Sequence, residues 1–113
     1  MTRPSFVKVG IYRWRISWNA ADLERIASSV EVGPADALGA CLAREQIIAI
    51  DPLPSSALRT EQATLLHELL HACVHSASID LPLEVEEMVI AGFSTPLLSV
   101  IRENPKIIAY LTA

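Results

Sequence analysis

The chain has 113 residues, about half of them apolar (51%) and 19% charged, and carries a net charge of −4. That length is one domain's worth, 1–113, and the composition supports a modest hydrophobic core while excluding disordered, collagen-like and low-complexity chains. The longest uncharged stretch, Met88 to Ile101, contains Gly92, Ser94, Thr95, Pro96 and Ser99. It falls short of the roughly 18–20 apolar residues of a membrane span. No apolar run follows a basic start in Met1 to Gly10, so no secretory signal is expected, and the chain reads as a soluble, cytoplasmic protein with no membrane partner.

In chain order, Phe6 to Trp18 predicts strand, because Tyr12, Trp14, Ile16 and Trp18 alternate with Arg13, Arg15 and Ser17. Gly10 is placed to turn or bulge this segment into a hairpin. Ala20 to Ala27 predicts a short helix closing near Gly33-Pro34. Ala40 to Ala43 and Gln46 to Ile50 predict two short strands joined at Arg44-Glu45, and Asp51-Pro52-Leu53-Pro54 stops the second. Thr60 is the expected N-cap of a helix running to about Ala77, with Glu61 in its first turn. Asp80-Leu81-Pro82 breaks the chain, and a second long helix is expected from Leu83 to Glu103, with Pro96 as a possible bend and Asn104-Pro105 as its end. Ile107 to Leu111 is expected to fold back onto the core. Strands first and helices afterwards make the class α+β, with a small antiparallel or mixed sheet packed on the two long helices.

The charges are unevenly placed. Residues 1–15 carry Arg3, Lys8, Arg13 and Arg15 and no acid, whereas the only charges from Thr60 to Ile101 are Glu61, Glu68, Asp80, Glu84, Glu86 and Glu87. No basic patch of the kind nucleic acid requires is visible, and the acidic half is suited to holding a cation. Cys41 and Cys73 form no CxxC pair and read as small buried hydrophobes.

All three histidines fall in the first long helix, and His67-Glu68-Leu69-Leu70-His71 is an HExxH sequence. Residues i and i+4 lie one above the other on a helix, so both imidazoles can reach one ion, with the glutamate beside the ion's water. Leu65, Leu66, Leu69, Leu70, Ala72, Cys73 and Val74 cover nearly the whole helix surface, which predicts burial almost all round. Two incidental imidazoles and a carboxylate in such a helix would lack partners, and a metal ion supplies them. His75 lies two further turns along, about 12 Å from His67, too far to share the ion. It reads as a surface residue or a support for a ligand.

A catalytic zinc site takes three protein ligands and keeps a fourth position open. The third is expected from the second helix, where Glu84, Glu86 and Glu87 compete. At 100° per residue, Val89, Ile90, Phe93, Leu97, Val100 and Ile101 form one apolar face with Glu86 at its middle, Glu87 at its flank and Glu84 nearly opposite. The metal ligands expected from the sequence are therefore His67, His71 and Glu86, with Glu68 as catalytic base.

Thr64-Leu65-Leu66-His67-Glu68-Leu69-Leu70-His71-Ala72, Glu86-Glu87 leading an apolar helix, Arg102-Glu103-Asn104-Pro105, Tyr110-Leu111 and the upstream Ile47-Ile48-Ala49-Ile50-Asp51 together resemble the small phage- and prophage-encoded metallopeptidase-like proteins. The resemblance runs from about Gly39 onward and is loose over residues 1–38. It implies a minimal zincin-like fold, Zn2+ held by His67, His71 and a downstream glutamate, Glu68 as base, and a phage or prophage origin.

The expected function is a zinc-dependent metallopeptidase acting on a peptide or protein, in which Glu68 takes a proton from the zinc-activated water and delivers it to the leaving amine. The strand Gln46 to Ile50 is the expected edge for an extended peptide. Tyr12, Tyr110, Arg102 and His75 are the candidates for stabilising the oxyanion. The alternative is a non-catalytic metal-binding module that docks to a phage or host protein, with Trp14 and Trp18 as a partner surface; their other reading is strand packing.

Overall fold

The computed structural model describes residues 2–29 and 37–113. The expected helix end near Gly33-Pro34 lies outside the described residues. Strands β1 (Phe6–Val9) and β2 (Tyr12–Ser17) pair antiparallel with Val9 opposite Tyr12, leaving Gly10 and Ile11 as a two-residue turn. Gly10 takes φ +60°, and a Cβ there would stand 2.6 Å from Ser76 Oγ. Glycine thus serves both the turn and the close approach of the hairpin tip to the end of a helix.

After helix α1 (Ala20–Ser29), strands β3 (Gly39–Leu42) and β4 (Ile47–Ile50) form a second antiparallel pair, and β4 lies parallel to β2. The sheet is mixed, in the order β1-β2-β4-β3. All four residues of β4 are buried, as expected of a strand covered on both faces. Period-two alternation divides them. Ile47 and Ala49 pack with Leu23 and Ile26 of α1, whereas Ile48 and Ile50 pack with Trp14, Ile16 and Ala72. The Gln46 to Ile50 segment is therefore central rather than an edge, and the edge strands are β1 and β3.

Helix α2 (Leu58–Ser76) covers the second face of the sheet. Thr60 is not its N-cap. The helix starts two residues earlier, after a 3-10 turn at Ser55–Ala57, with no side-chain cap. Glu61, 4% exposed, instead accepts hydrogen bonds from the Leu53 backbone N–H (2.8 Å) and the Arg3 guanidinium (2.8 Å), tying the N-terminal segment to the start of α2. The Arg3 hydrogen bond holds the Glu61 carboxyl below its usual range, against the desolvation that pushes it up.

Helix α3 (Leu83–Glu103) packs along α2 and runs unbroken through Pro96, and α4 (Pro105–Leu111) follows after Asn104. The segment Ile107 to Leu111 does not fold back onto the core, since Ile107, Tyr110 and Leu111 are 50%, 83% and 71% exposed. Nor is α2 buried almost all round: its buried residues are Glu61, Glu68, His71 and Ala72, while Leu65, Leu66, Leu69, Leu70 and Val74 are half-buried. Cys73 is exposed rather than buried, Cys41 is half-buried, and both thiols are free. No described helix is long and apolar enough to cross a membrane.

Candidate metal centre

His67 and His71 project from the same side of α2, with ring centroids 5.0 Å apart. The turn after Ser76 reverses the chain and brings the first turns of α3 alongside them. Glu87 Oε1 lies 2.6 Å from His71 Nε2, and Glu87 Oε2 lies 3.3 Å from His67 Nε2. Among the described residues, His67, His71 and Glu87 form the group whose ligand atoms all fall within 4.8 Å of one another.

Glu86, the glutamate expected at the metal, sits on the other side of the His71 ring. The Nδ1–H of His71 donates to Glu86 Oε2 at 2.5 Å, which directs Nε2 towards Glu87 and His67. The difference comes from the phase of α3. Its buried residues are Ile90 and Ser94, while Val89, Phe93, Val100 and Ile101 of the expected inward face are exposed. The packed face is thus rotated by roughly 60° at 100° per residue, and its midline falls between Glu86 and Glu87. The two carboxylates grip His71 from two sides. Glu84 is exposed and away from the group.

Glu68 faces the sheet edge and is 5% exposed. Burial pushes its carboxyl up to about 7, the neighbouring Glu87 charge adds to that rise, and His71 opposes it. Its Oε2 is buried without a hydrogen-bond partner. Strand β3 lies hard against this point: a Cβ on Gly39 would stand 2.7 Å from Thr64 Cγ2 and 3.1 Å from Glu68 Cγ. Glycine is required here by proximity rather than by its dihedral angles. Burial also lowers the basicity of His67, with His71 contributing in the same direction and Glu87 opposing.

An open cleft of about 1310 Å3 runs between β3 and α2 and contains His67, Glu68, His71, Glu86 and Glu87. Cys41 also lines it, its thiol pushed up by burial and by the charges of Glu68 and Glu86, so it is a neutral wall rather than a thiolate ligand. His75 lines the cleft too, exposed and edge-on to Trp14 at 6.0 Å between ring centroids, outside the metal-binding group. Of the other residues considered for the oxyanion, Tyr12 and Tyr110 are exposed elsewhere, and Arg102 donates to Gln62 at 2.5 Å. Trp14 is fully buried in the core, and Trp18 donates to the Pro4 carbonyl beneath the Arg3 guanidinium, so neither forms a free aromatic surface.

Two imidazole nitrogens and a carboxylate converging on one point match the donor set of a tetrahedral Zn2+ site with one position left open. The unpaired, buried Glu68 oxygen beside them fits the same site, since a buried carboxylate without a partner is costly. No protein-family model, curated protein or solved structure matches this chain.

Proposed function

We propose that the chain is a zinc-dependent metallopeptidase of the minimal zincin-like kind, with His67, His71 and Glu87 holding the ion. The observation that carries this reading is the convergence of the two Nε2 atoms and the Glu87 carboxylate beside a buried, unpaired Glu68. A bound Zn2+ supplies Lewis acidity towards the scissile carbonyl and brings the pKa of water to near 7. Glu68 takes the proton of the attacking water and passes it to the leaving amine. Burial raises the Glu68 carboxyl above the usual carboxylate range, the direction that makes it a stronger base. Glu86 fixes the His71 tautomer and ring orientation through Nδ1.

The substrate is a peptide in extended form. Strand β3 leaves one edge of the sheet unpaired among the described strands, and Leu38, Gly39, Ala40 and Cys41 line the cleft beside the metal-binding group. An extended chain laid against that edge gains main-chain hydrogen bonds and passes over Glu68. The resemblance to phage- and prophage-encoded proteins extends the reading to a cytoplasmic enzyme inside a bacterial host.

The test is Glu68→Gln in zinc-loaded protein, assayed on a mixture of unstructured peptides by mass spectrometry. The amide keeps size and hydrogen bonding but cannot take the proton. General-base removal is expected to lower turnover by about 10²- to 10⁴-fold while zinc content stays unchanged. Equal turnover by both proteins removes Glu68 from the chemistry, and a zinc-loaded wild type that cuts none of the peptides favours the docking module.

A further inference from the structure

Fourteen residues of α3, Met88 to Ile101, separate Glu87 from the next charged residue, Arg102, and carry no charge at all. On the side of α3 turned away from α2, Met88 and Phe93 are 68% and 63% exposed, with Val89 and Val100 at 38% and 43%. Gly92 lies at the middle of that side, and a Cβ built there meets nothing within 4 Å. A monomer has no packing reason for glycine at an exposed helix centre, where it costs about 1 kcal/mol relative to alanine. A close approach by another backbone supplies one.

We infer that this face of α3 is the interface of a two-fold symmetric homodimer in which the α3 helices of two copies pack antiparallel, with their Gly92 residues near the axis. Charge placement selects a second copy over a foreign partner. Glu84 and Arg102 are both exposed and are 18 residues apart, which at 100° per residue is five full turns and puts them on one flank of the helix. A two-fold axis between them, near residue 93, preserves the flank and exchanges the ends. Glu84 of each copy then meets Arg102 of the other, and the pair forms twice. Arg102 already donates one Nη2 hydrogen bond to Gln62 and keeps further N–H donors for a carboxylate. On the opposite flank the two Phe93 rings come together at the axis.

The C-terminal end of α3 leads into the exposed Ile107, Tyr110 and Leu111 of α4, which antiparallel pairing carries past the N-terminal end of the other copy's α3. A helix of this length is a strip about 30 Å long and 10 Å wide, well below the roughly 800 Å2 per partner of a standard interface, so the end contacts are needed. Association in the micromolar range is expected.

Sedimentation velocity of the intact chain, followed from about 5 to 500 µM, reads the dimer directly. The wild type is expected to pass from monomer to dimer across that range. Glu84→Arg and Arg102→Glu, each alone, create two like-charge contacts and are expected to weaken the dimer about tenfold or more, whereas the two together restore it to within roughly threefold. Gly92→Gln is expected to yield monomer with undiminished helix content by circular dichroism, because its side chain has open space in the single copy. A wild type that stays monomeric throughout overturns the inference, and so does a dimer untouched by Gly92→Gln or a charge exchange that fails to restore it.

Discussion

Helices α2 and α3 lie side by side, yet each inverts the usual relation between polarity and burial in its own way. In α2 the buried residues are Glu61, Glu68, His71 and Ala72, three of them polar, whereas in α3 the apolar Met88, Val89, Phe93 and Val100 are exposed. Burying a carboxylate or an imidazole is costly without a partner, so a helix that does it three times is organised around those partners. Arg3 and Leu53 serve Glu61, Glu86 and Glu87 serve His71, and Glu68 Oε2 is left without a protein partner beside them. Leaving Phe93 and Met88 in water is cheaper residue by residue but forfeits stabilisation that a second surface would recover. The sheet side of the molecule holds the fold, and α3 presents the site on one side and a docking face on the other.

Truncating one apolar side chain in each region separates the two most clearly. Ile48 is fully buried in the central strand, and Ile48→Ala is expected to cost about 2–5 kcal/mol in denaturant unfolding at a concentration where the chain is monomeric. Phe93→Ala, removing a larger side chain, is expected to fall within about 0.5 kcal/mol of the wild type under the same conditions. Comparable losses at the two positions would mean that α3 packs through Phe93 after all.

The two glycines give a smaller contrast of opposite sign. Gly39→Ala pushes β3 against Thr64 and Glu68 and is expected to destabilise by about 1–3 kcal/mol. Gly92→Ala, with nothing near its Cβ, is expected to stabilise the monomer by up to about 1 kcal/mol through helix propensity. Chemical denaturation of the two variants side by side decides it, and a Gly39→Ala protein as stable as the wild type would show that β3 is free to lift from α2.

A pH effect sharpens the polar side of the contrast. The folded-state pKa of Glu61 lies below its ordinary value of 4.5, so its contribution is fully present above that value and is lost as pH falls through the lower folded pKa. Stability against urea should therefore decline below about pH 4.5, and Glu61→Gln should flatten that acid limb. An unchanged acid limb would contradict the role given to the Arg3–Glu61 pair.

Much of the fold was legible in the sequence. The hairpin at Gly10, the two short strands, the break at Asp80 to Pro82 and both long helices follow from turn residues and periodicity. The HExxH spacing also located His67, Glu68 and His71. What periodicity misjudged was the phase of α3, because it took the most apolar face to be the packed one. Here the polar contacts of Glu86 and Glu87 with His71, together with the small Ser94, set the packing instead, and the apolar face was left outward. The same assumption placed Ile107 to Leu111 on the core. The edge role of β3 was hidden for a different reason: strand order depends on which strands pair at long range, and four-residue strands such as Gly39–Leu42 and Ile47–Ile50 carry no local mark of it.

A metal centre of His67, His71 and Glu87 with Glu86 behind His71 is tested by measuring zinc affinity for Glu86→Ala and Glu87→Ala beside the wild type, by competition with a chromogenic chelator. Glu87→Ala is expected to lose a ligand and with it nearly all binding, while Glu86→Ala, which only frees the His71 ring to turn, is expected to weaken binding about 10- to 100-fold. Near-complete loss in Glu86→Ala with binding retained in Glu87→Ala would contradict the account, as would a wild type that binds no zinc.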